Sequence, residues 1–156
     1  LRAAAAKLLY ETLEDARRDT RQAIGEPLLQ KLTQYGGAVF GHSTTFELDE
    51  GMAVKSRSNA TGTFEFDALS GGAQEQIDVL LRLAVAGVMD GGGGEPVIID
   101  DALGYSDPDR LRKMNNAFAG AGEDSQILVL TCYPERFSRI ADSHRLDMAD
   151  LLRADG

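Results

Sequence analysis

Leu69-Ser70-Gly71-Gly72-Ala73-Gln74-Glu75-Gln76 is followed, about twenty residues later, by the apolar run Pro96-Val97-Ile98-Ile99 and the paired carboxylates Asp100-Asp101. A Ser-Gly-Gly turn that opens an amphipathic helix sets a hydroxyl and several unpaired backbone N–H groups at a helix N-terminus, where the dipole favours a phosphate. A buried strand that ends in two carboxylates offers hard oxygen ligands for Mg²⁺ and a base for a water, which is what phosphoryl transfer requires. In this order and at this spacing the two segments imply a nucleoside triphosphate, ATP. Each also has a plainer reading: the first as a turn with an N-cap, the second as a cap leading into a solvated loop.

Outward from this pair, Ile77, Leu80, Leu81, Leu83, Ala84 and Val88 mark a helix of about four turns, which Gly91 to Gly94 should break as a linker. Those glycines follow a helix and precede a strand, the reverse of the order that a phosphate-cradling P-loop needs. Val97 to Ile99 and Ile127 to Leu130 are continuously apolar and flank a helix predicted over Pro108 to Ala119. That is the pattern of a parallel βαβ unit covered on both faces, whose ligands sit at the carboxyl ends of the strands. Asp100-Asp101 and Thr131-Cys132-Tyr133 both fall there. Asp107-Pro108 reads equally as an N-cap with its first-turn proline and as part of a functional loop. His144 to Met148 is expected to add an edge strand.

Upstream, short alternating runs predict a small antiparallel sheet: Ala38-Val39-Phe40, Thr44 to Leu48, Met52-Ala53-Val54 and Thr63 to Phe66. Asp49-Glu50-Gly51 is a hairpin turn and Ser58 to Gly62 a looser one. At the start, Leu1, Ala5, Leu8, Leu9, Leu13 and Ala16 repeat at intervals of three or four, with charged residues on the other faces, so a helix is predicted. A second short helix is predicted from Glu26-Pro27 through Leu28, Leu29 and Leu32 to a stop at Gly36-Gly37. The first helix is either an amphipathic surface helix or the stump of a coiled coil.

The ordered motifs resemble those of ABC-type ATPases. Leu69 to Gln76 is similar to the signature motif, Val97 to Asp101 to the Walker B strand, and Ala102 to Asp107 to the D-loop. The likeness is greatest to the carboxy-terminal lobe of the head in SMC, Rad50 and RecN-like ATPases, particularly bacterial DNA-repair ATPases of the YhaN type. It covers residues 36 to 148. It implies an α/β fold of the P-loop NTPase kind: a parallel βαβ core, a small antiparallel portion, and an N-terminal helical coiled-coil stump. Residues 1–35 would be the end of the arm and a short helix, 36–148 the half-head, and 149–156 a tail.

The resemblance also implies roles. Asp100 would hold Mg²⁺ through a water, and Asp101 would orient the attacking water where similar heads usually carry glutamate. Aspartate is one methylene shorter, and a misplacement near 1 Å costs about a hundredfold in rate. Leu69, Ser70, Gly71, Gly72, Gln74 and Glu75 would meet, in trans, the ATP held by a second head, with Asp107 crossing the same interface. Tyr133 stands where a histidine often contacts the terminal phosphate, and a phenol with a pKa near 10 carries no positive charge at neutral pH.

No Gly-x-x-x-x-Gly-Lys-Ser/Thr occurs in the 156 residues, so this chain cannot build a whole site. The expected partners are the N-terminal P-loop lobe of the same parent and a second head in an ATP-bound homodimer. A net charge of −9 is a poor footprint for DNA, so DNA is expected to be met through the parent assembly. One cysteine, Cys132, excludes an internal disulfide and a cysteine-rich zinc site. With no leader and no apolar run long enough to span a bilayer, no membrane role and a cytoplasmic location are expected. Two alternatives remain: a degenerate head that binds ATP as a scaffold without turnover, and a free-standing metal-dependent phosphoesterase using Asp100, Asp101 and Asp107.

Overall fold

The computed structural model describes residues 2–89 and 95–154, so the expected Gly91–Gly94 linker lies outside the described residues. The first element, α1 (Arg2–Phe40), is one helix of 39 residues, about 58 Å long. Two helices were expected, yet the chain runs straight through Pro27. A proline inside a helix removes one bond and crowds the preceding turn. Tertiary packing of the second half outweighs that penalty: Leu28, Leu32, Tyr35 and Val39, spaced at three or four residues, are all buried.

Gly36-Gly37 does not stop the helix either. A Cβ on Gly36 would lie 2.3 Å from Cε2 of Phe46, so this glycine admits a ring rather than a turn. The stop is Gly41, with φ of +116° and its amide on the Gly37 carbonyl at 3.0 Å. Ala38-Val39-Phe40 is therefore helix and not strand, and α1 runs on past position 35 into the core.

The antiparallel sheet contains β1 (Thr45–Leu48), β2 (Val54–Asn59) and β3 (Gly62–Glu65) in that order. Asp49 Oδ1 accepts the amides of Gly51 (2.7 Å) and Ala53 (3.0 Å), which builds the first turn. The second turn is tight where a loose one was expected. Asn59 pairs with Gly62, and Asn59 Oδ1 accepts both the amide and the hydroxyl of Thr61.

The helix α2 (Gly71–Met89) and the parallel unit β4 (Val97–Asp100), α3 (Pro108–Gly122), β5 (Ile127–Leu130) follow. The strands pair Val97 with Ile127 through Asp100 with Leu130. Ile77, Leu80 and Leu83 of α2, Met114 and Phe118 of α3, and Val97 and Ile99 of β4 share one core with the second half of α1. Lys31 of α1 is ion-paired with Asp124 just beyond α3, and that hydrogen bond holds the ammonium above its ordinary value.

The parallel sheet is covered on one face only, contrary to expectation. Ile98 is 60% exposed, Leu128 41% and Leu130 48%. Among the described residues α2 and α3 are the helices that pack on this sheet, over the face that carries buried Val97 and Ile99, and these three side chains stay open. Residues 144–147 form no strand; instead Asp147 Oδ1 accepts the Ala149 amide at the start of α4 (Met148–Ala154). Among the described residues no helix is long and apolar enough to cross a membrane.

Candidate functional site

Ser70 precedes the first turn of α2. Its carbonyl accepts the amides of Ala73 (2.8 Å) and Gln74 (2.9 Å), while its hydroxyl lies a long 3.4 Å from the Ala73 amide. The hydroxyl is thus only weakly engaged and is exposed, as is Gly71. The amides of Gly71 and Gly72 begin the helix, where no preceding turn supplies a carbonyl. A hydroxyl and helix-start amides facing solvent are the chemistry of an anion contact.

The predicted binding residues do not all point outward. Gln74 Nε2 donates to the Phe66 carbonyl at 2.9 Å, and Glu75 Oε1 accepts the Leu103 amide at 2.8 Å. Leu69 is half-buried against the core. Gln74 and Glu75 therefore shape the segment from within, while Ser70 and Gly71 present it.

The D-loop-like stretch lies directly against this helix start. A Cβ on Gly72 would come 3.1 Å from the Tyr105 carbonyl, Glu75 holds Leu103, and Gln76 Nε2 donates to Ser106 Oγ at 2.8 Å. Sequence reasoning missed Gln76, although a polar residue on the same buried stripe as Ile77 and Leu80 was the available signal. Leu103 has φ of 67°, a left-handed conformation that its amide's bond to Glu75 helps to hold.

Asp100 and Asp101 are exposed at the carboxyl end of β4. Asp101 has φ of 44° and its amide bonds to the Leu130 carbonyl at 2.9 Å, the last link between the two strands. Aspartate is among the residues best tolerated in this conformation. Two adjacent carboxylates at a strand end suit a hard cation such as Mg²⁺, with Asp100 as the expected ligand. Among the described residues no group of three His, Cys, Asp or Glu side chains gathers to hold a metal. Asp107 Oδ1 accepts the Arg110 amide at 2.9 Å, so its cap role is realised and it does not join the other two carboxylates.

Tyr133 follows β5, with its amide on Thr131 Oγ1 at 2.9 Å and 51% of its surface exposed. The guanidinium of Arg136 stacks over its ring, 4.8 Å from the centroid. The structure thus brings together Ser70 with Gly72, the loop from Leu103 to Ser106, and the Tyr133–Arg136 pair beside Gly104.

No protein-family model matches the chain. It is 42% identical over 147 residues to the uncharacterized protein Rv1278 of Mycobacterium tuberculosis, covering 94% of this chain and 17% of that protein. It matches the uncharacterized protein Mb1309 of Mycobacterium bovis to the same extent. Over 110 residues it is 30% identical to the DNA double-strand break repair Rad50 ATPase of Methanocaldococcus jannaschii, covering 70% of this chain and 11% of that protein. The chain therefore spans less than a fifth of the length of these curated relatives. A solved structure from work on ATP-driven dimerization and DNA-stimulated activation of SMC ATPases superposes with a TM-score of 0.63 at 11% identity, covering 88% of this chain and 94% of that one.

Proposed function

We propose, for a chain whose fold is that of an SMC/Rad50-like C-terminal head lobe, that it is half of an ATP-dependent dimerising head whose pairing moves a coiled-coil arm. One observation carries the reading most of the way. The Ser70 helix start and the Leu103–Ser106 loop are stitched into a single edge by Gly72, Glu75 and Gln76, and that edge is exposed at Ser70, Gly71, Gly104 and Tyr105. Such an edge suits a composite site in which Ser70 and the helix-start amides meet ATP held by a second copy, and two-fold symmetry then gives two such sites.

The open face of the parallel sheet supports the other half of the reading. Two parallel strands with one uncovered apolar face are not a self-sufficient sheet. Ile98, Leu128 and Leu130 would be covered by the P-loop lobe of the same parent, which would also supply the phosphate-binding lysine absent here. Asp100 would be the Mg²⁺ ligand and Asp101 the residue that orients water. The arm is the first half of α1, whose Leu8, Leu9 and Leu13 are 60–65% exposed for want of a partner helix. DNA repair or chromosome maintenance in the cytoplasm is the expected setting, with DNA met by the parent assembly.

The test is mass by light scattering of this lobe joined to its P-loop lobe, with and without ATP and Mg²⁺, beside Ser70→Arg. We expect ATP to double the mass of the wild type and the arginine to abolish the doubling. No doubling in either form would sink the reading. A second reading keeps the pairing and removes turnover. It is favoured by the short side chain at Asp101, and doubling without phosphate release would select it.

A further inference from the structure

Arg136 stands out among the basic residues of this chain. Its guanidinium lies over the Tyr133 ring, 4.8 Å from the centroid, and 3.8 Å from where a Cβ on Gly104 would sit. It is therefore between the segment that ends β5 and the loop that follows Asp101. Its backbone is fixed from below: Nδ2 of Asn115, itself 1% exposed, donates to the Arg136 carbonyl at 2.9 Å, and neighbouring Phe137 is buried against Phe118 with ring centroids 6.1 Å apart. Arg136 lies in the short 3-10 turn Pro134–Phe137, whose start is set by the Arg136 amide on the Tyr133 carbonyl at 3.1 Å.

Among the described residues two other arginines stack on a ring, and both share Phe40. Arg57 lies over it at 4.9 Å with its buried Nε unpaired, but it sits in β2 of the antiparallel sheet and not on the loops that follow β4 and β5. Arg110 also lies over an aromatic ring, that of Phe40, but its Nη1 donates to the Val39 carbonyl at 3.0 Å, where a cation completes a helix C-terminus. Arg112 and Arg153 face Asp109 and Asp150. Among the described residues no carboxylate or carbonyl accepts from the Arg136 guanidinium. A planar cation braced on a ring, with its donor fork uncommitted, is pre-organised for a phosphate, the anion that guanidinium groups match in two-pronged geometry.

We propose that Arg136 is a phosphate-contacting residue of the nucleotide site, held in position by Tyr133 and Asn115, and that it selects the triphosphate over the diphosphate. The inference rests on the reading of the chain as half of an ATP-binding head. It gives Tyr133 a task that its neutral phenol could not perform alone: the ring positions a charge that the tyrosine lacks. Tyr133 is in this account a positioning residue, and Arg136 touches the ligand.

The experiment is equilibrium binding of ATP and ADP, each with Mg²⁺, to the full-length parent and to Arg136→Gln, Arg136→Lys, Tyr133→Phe and Tyr133→Ala. Removing the guanidinium should weaken ATP about ten- to hundredfold and ADP by less than about twofold, the scale of one charge-assisted contact to a terminal phosphate. Arg136→Lys keeps the charge without the fork and should recover part of the loss. Tyr133→Ala removes the ring and should shift the ATP-to-ADP ratio toward that of the glutamine variant, whereas Tyr133→Phe keeps the ring under the guanidinium and should shift it less than the alanine does. Equal losses for ATP and ADP, or none, would overturn the assignment. Should Arg136→Gln fail to fold, the lysine variant and the two tyrosine variants decide the matter by the same ATP-to-ADP ratio. A wild type that binds neither nucleotide would overturn the underlying ATP reading and this inference with it, a result distinct from an Arg136 variant that binds like the wild type.

Discussion

The carboxylate of Glu75 accepts the amide of Leu103 at 2.8 Å, fastening the helix that Ser70 opens to the loop that follows Asp101. Leu103 is 1% exposed, so no water can replace the bond, while the other oxygen of Glu75 is buried without a partner. Glu75→Ala should therefore destabilise the fold by about 1–3 kcal/mol, the cost of an unsatisfied buried amide. Glu75→Gln keeps an acceptor and should cost less than about 1 kcal/mol. Urea midpoints check both values. An alanine variant as stable as the wild type would show that this bond does not hold the loop.

Two glycines of α1 should respond to alanine with opposite signs. At Gly25 a Cβ meets nothing within 4 Å, so Gly25→Ala should stabilise the protein by about 0.5–1 kcal/mol through helix propensity. At Gly36 the same Cβ would come 2.3 Å from the Phe46 ring. The ring can move only by disturbing β1 and the Phe40–Phe46 contact, so Gly36→Ala should cost about 1–3 kcal/mol despite the propensity gain. Thermal melts of the two variants should move in opposite directions.

Stability should fall on the alkaline side. The bond to Asp124 raises Lys31 above 10.5, and burial raises Tyr35 above 10.0. In both cases the folded chain retains a proton that the unfolded chain releases, so stability declines as pH rises through the raised values. Below about pH 10 the Lys31 contribution is fully present. Urea unfolding at pH 8 and pH 11 should show the decline, and Lys31→Met and Tyr35→Phe should each make it shallower. A decline as steep in both variants as in the wild type would assign it to other groups.

The parts of this molecule that were legible in sequence are those written in local pattern. The apolar runs of β4 and β5, with a capped helix between them, specify a parallel unit through periodicity and the Asp107-Pro108 start alone. Pro27 and Gly36 misled because their usual meanings are local, whereas their roles here are tertiary: one is overridden by the burial of Leu28 and Leu32, and the other makes room for Phe46. The uncovered face of β4–β5 could not be read from Val97 to Ile99, since a continuous apolar run states that both faces want cover and not that this chain supplies it. Ser70, Asp100 and Asp101 were visible as motif residues. Gln76 and Ser106 lay within motif stretches but carried no role there, and Arg136 lay outside any motif, because their importance lies in what they touch across the fold.

Asp101 links backbone conformation to the proposed chemistry. Its φ of 44° suits aspartate and asparagine, whose short polar side chains tolerate the left-handed region better than most. Asp101→Asn should therefore keep the backbone and the bond to the Leu130 carbonyl while removing the carboxylate. In the parent protein we expect ATP-dependent pairing to persist and phosphate release to fall about a hundredfold or more, the scale of a lost catalytic base. Light scattering and a phosphate-release assay on the same sample separate the two effects. A variant that pairs and turns over like the wild type would remove Asp101 from the water-orienting role. If the wild type pairs but releases no phosphate, the scaffold reading holds, and the left-handed aspartate is the place where glutamate's reach was lost.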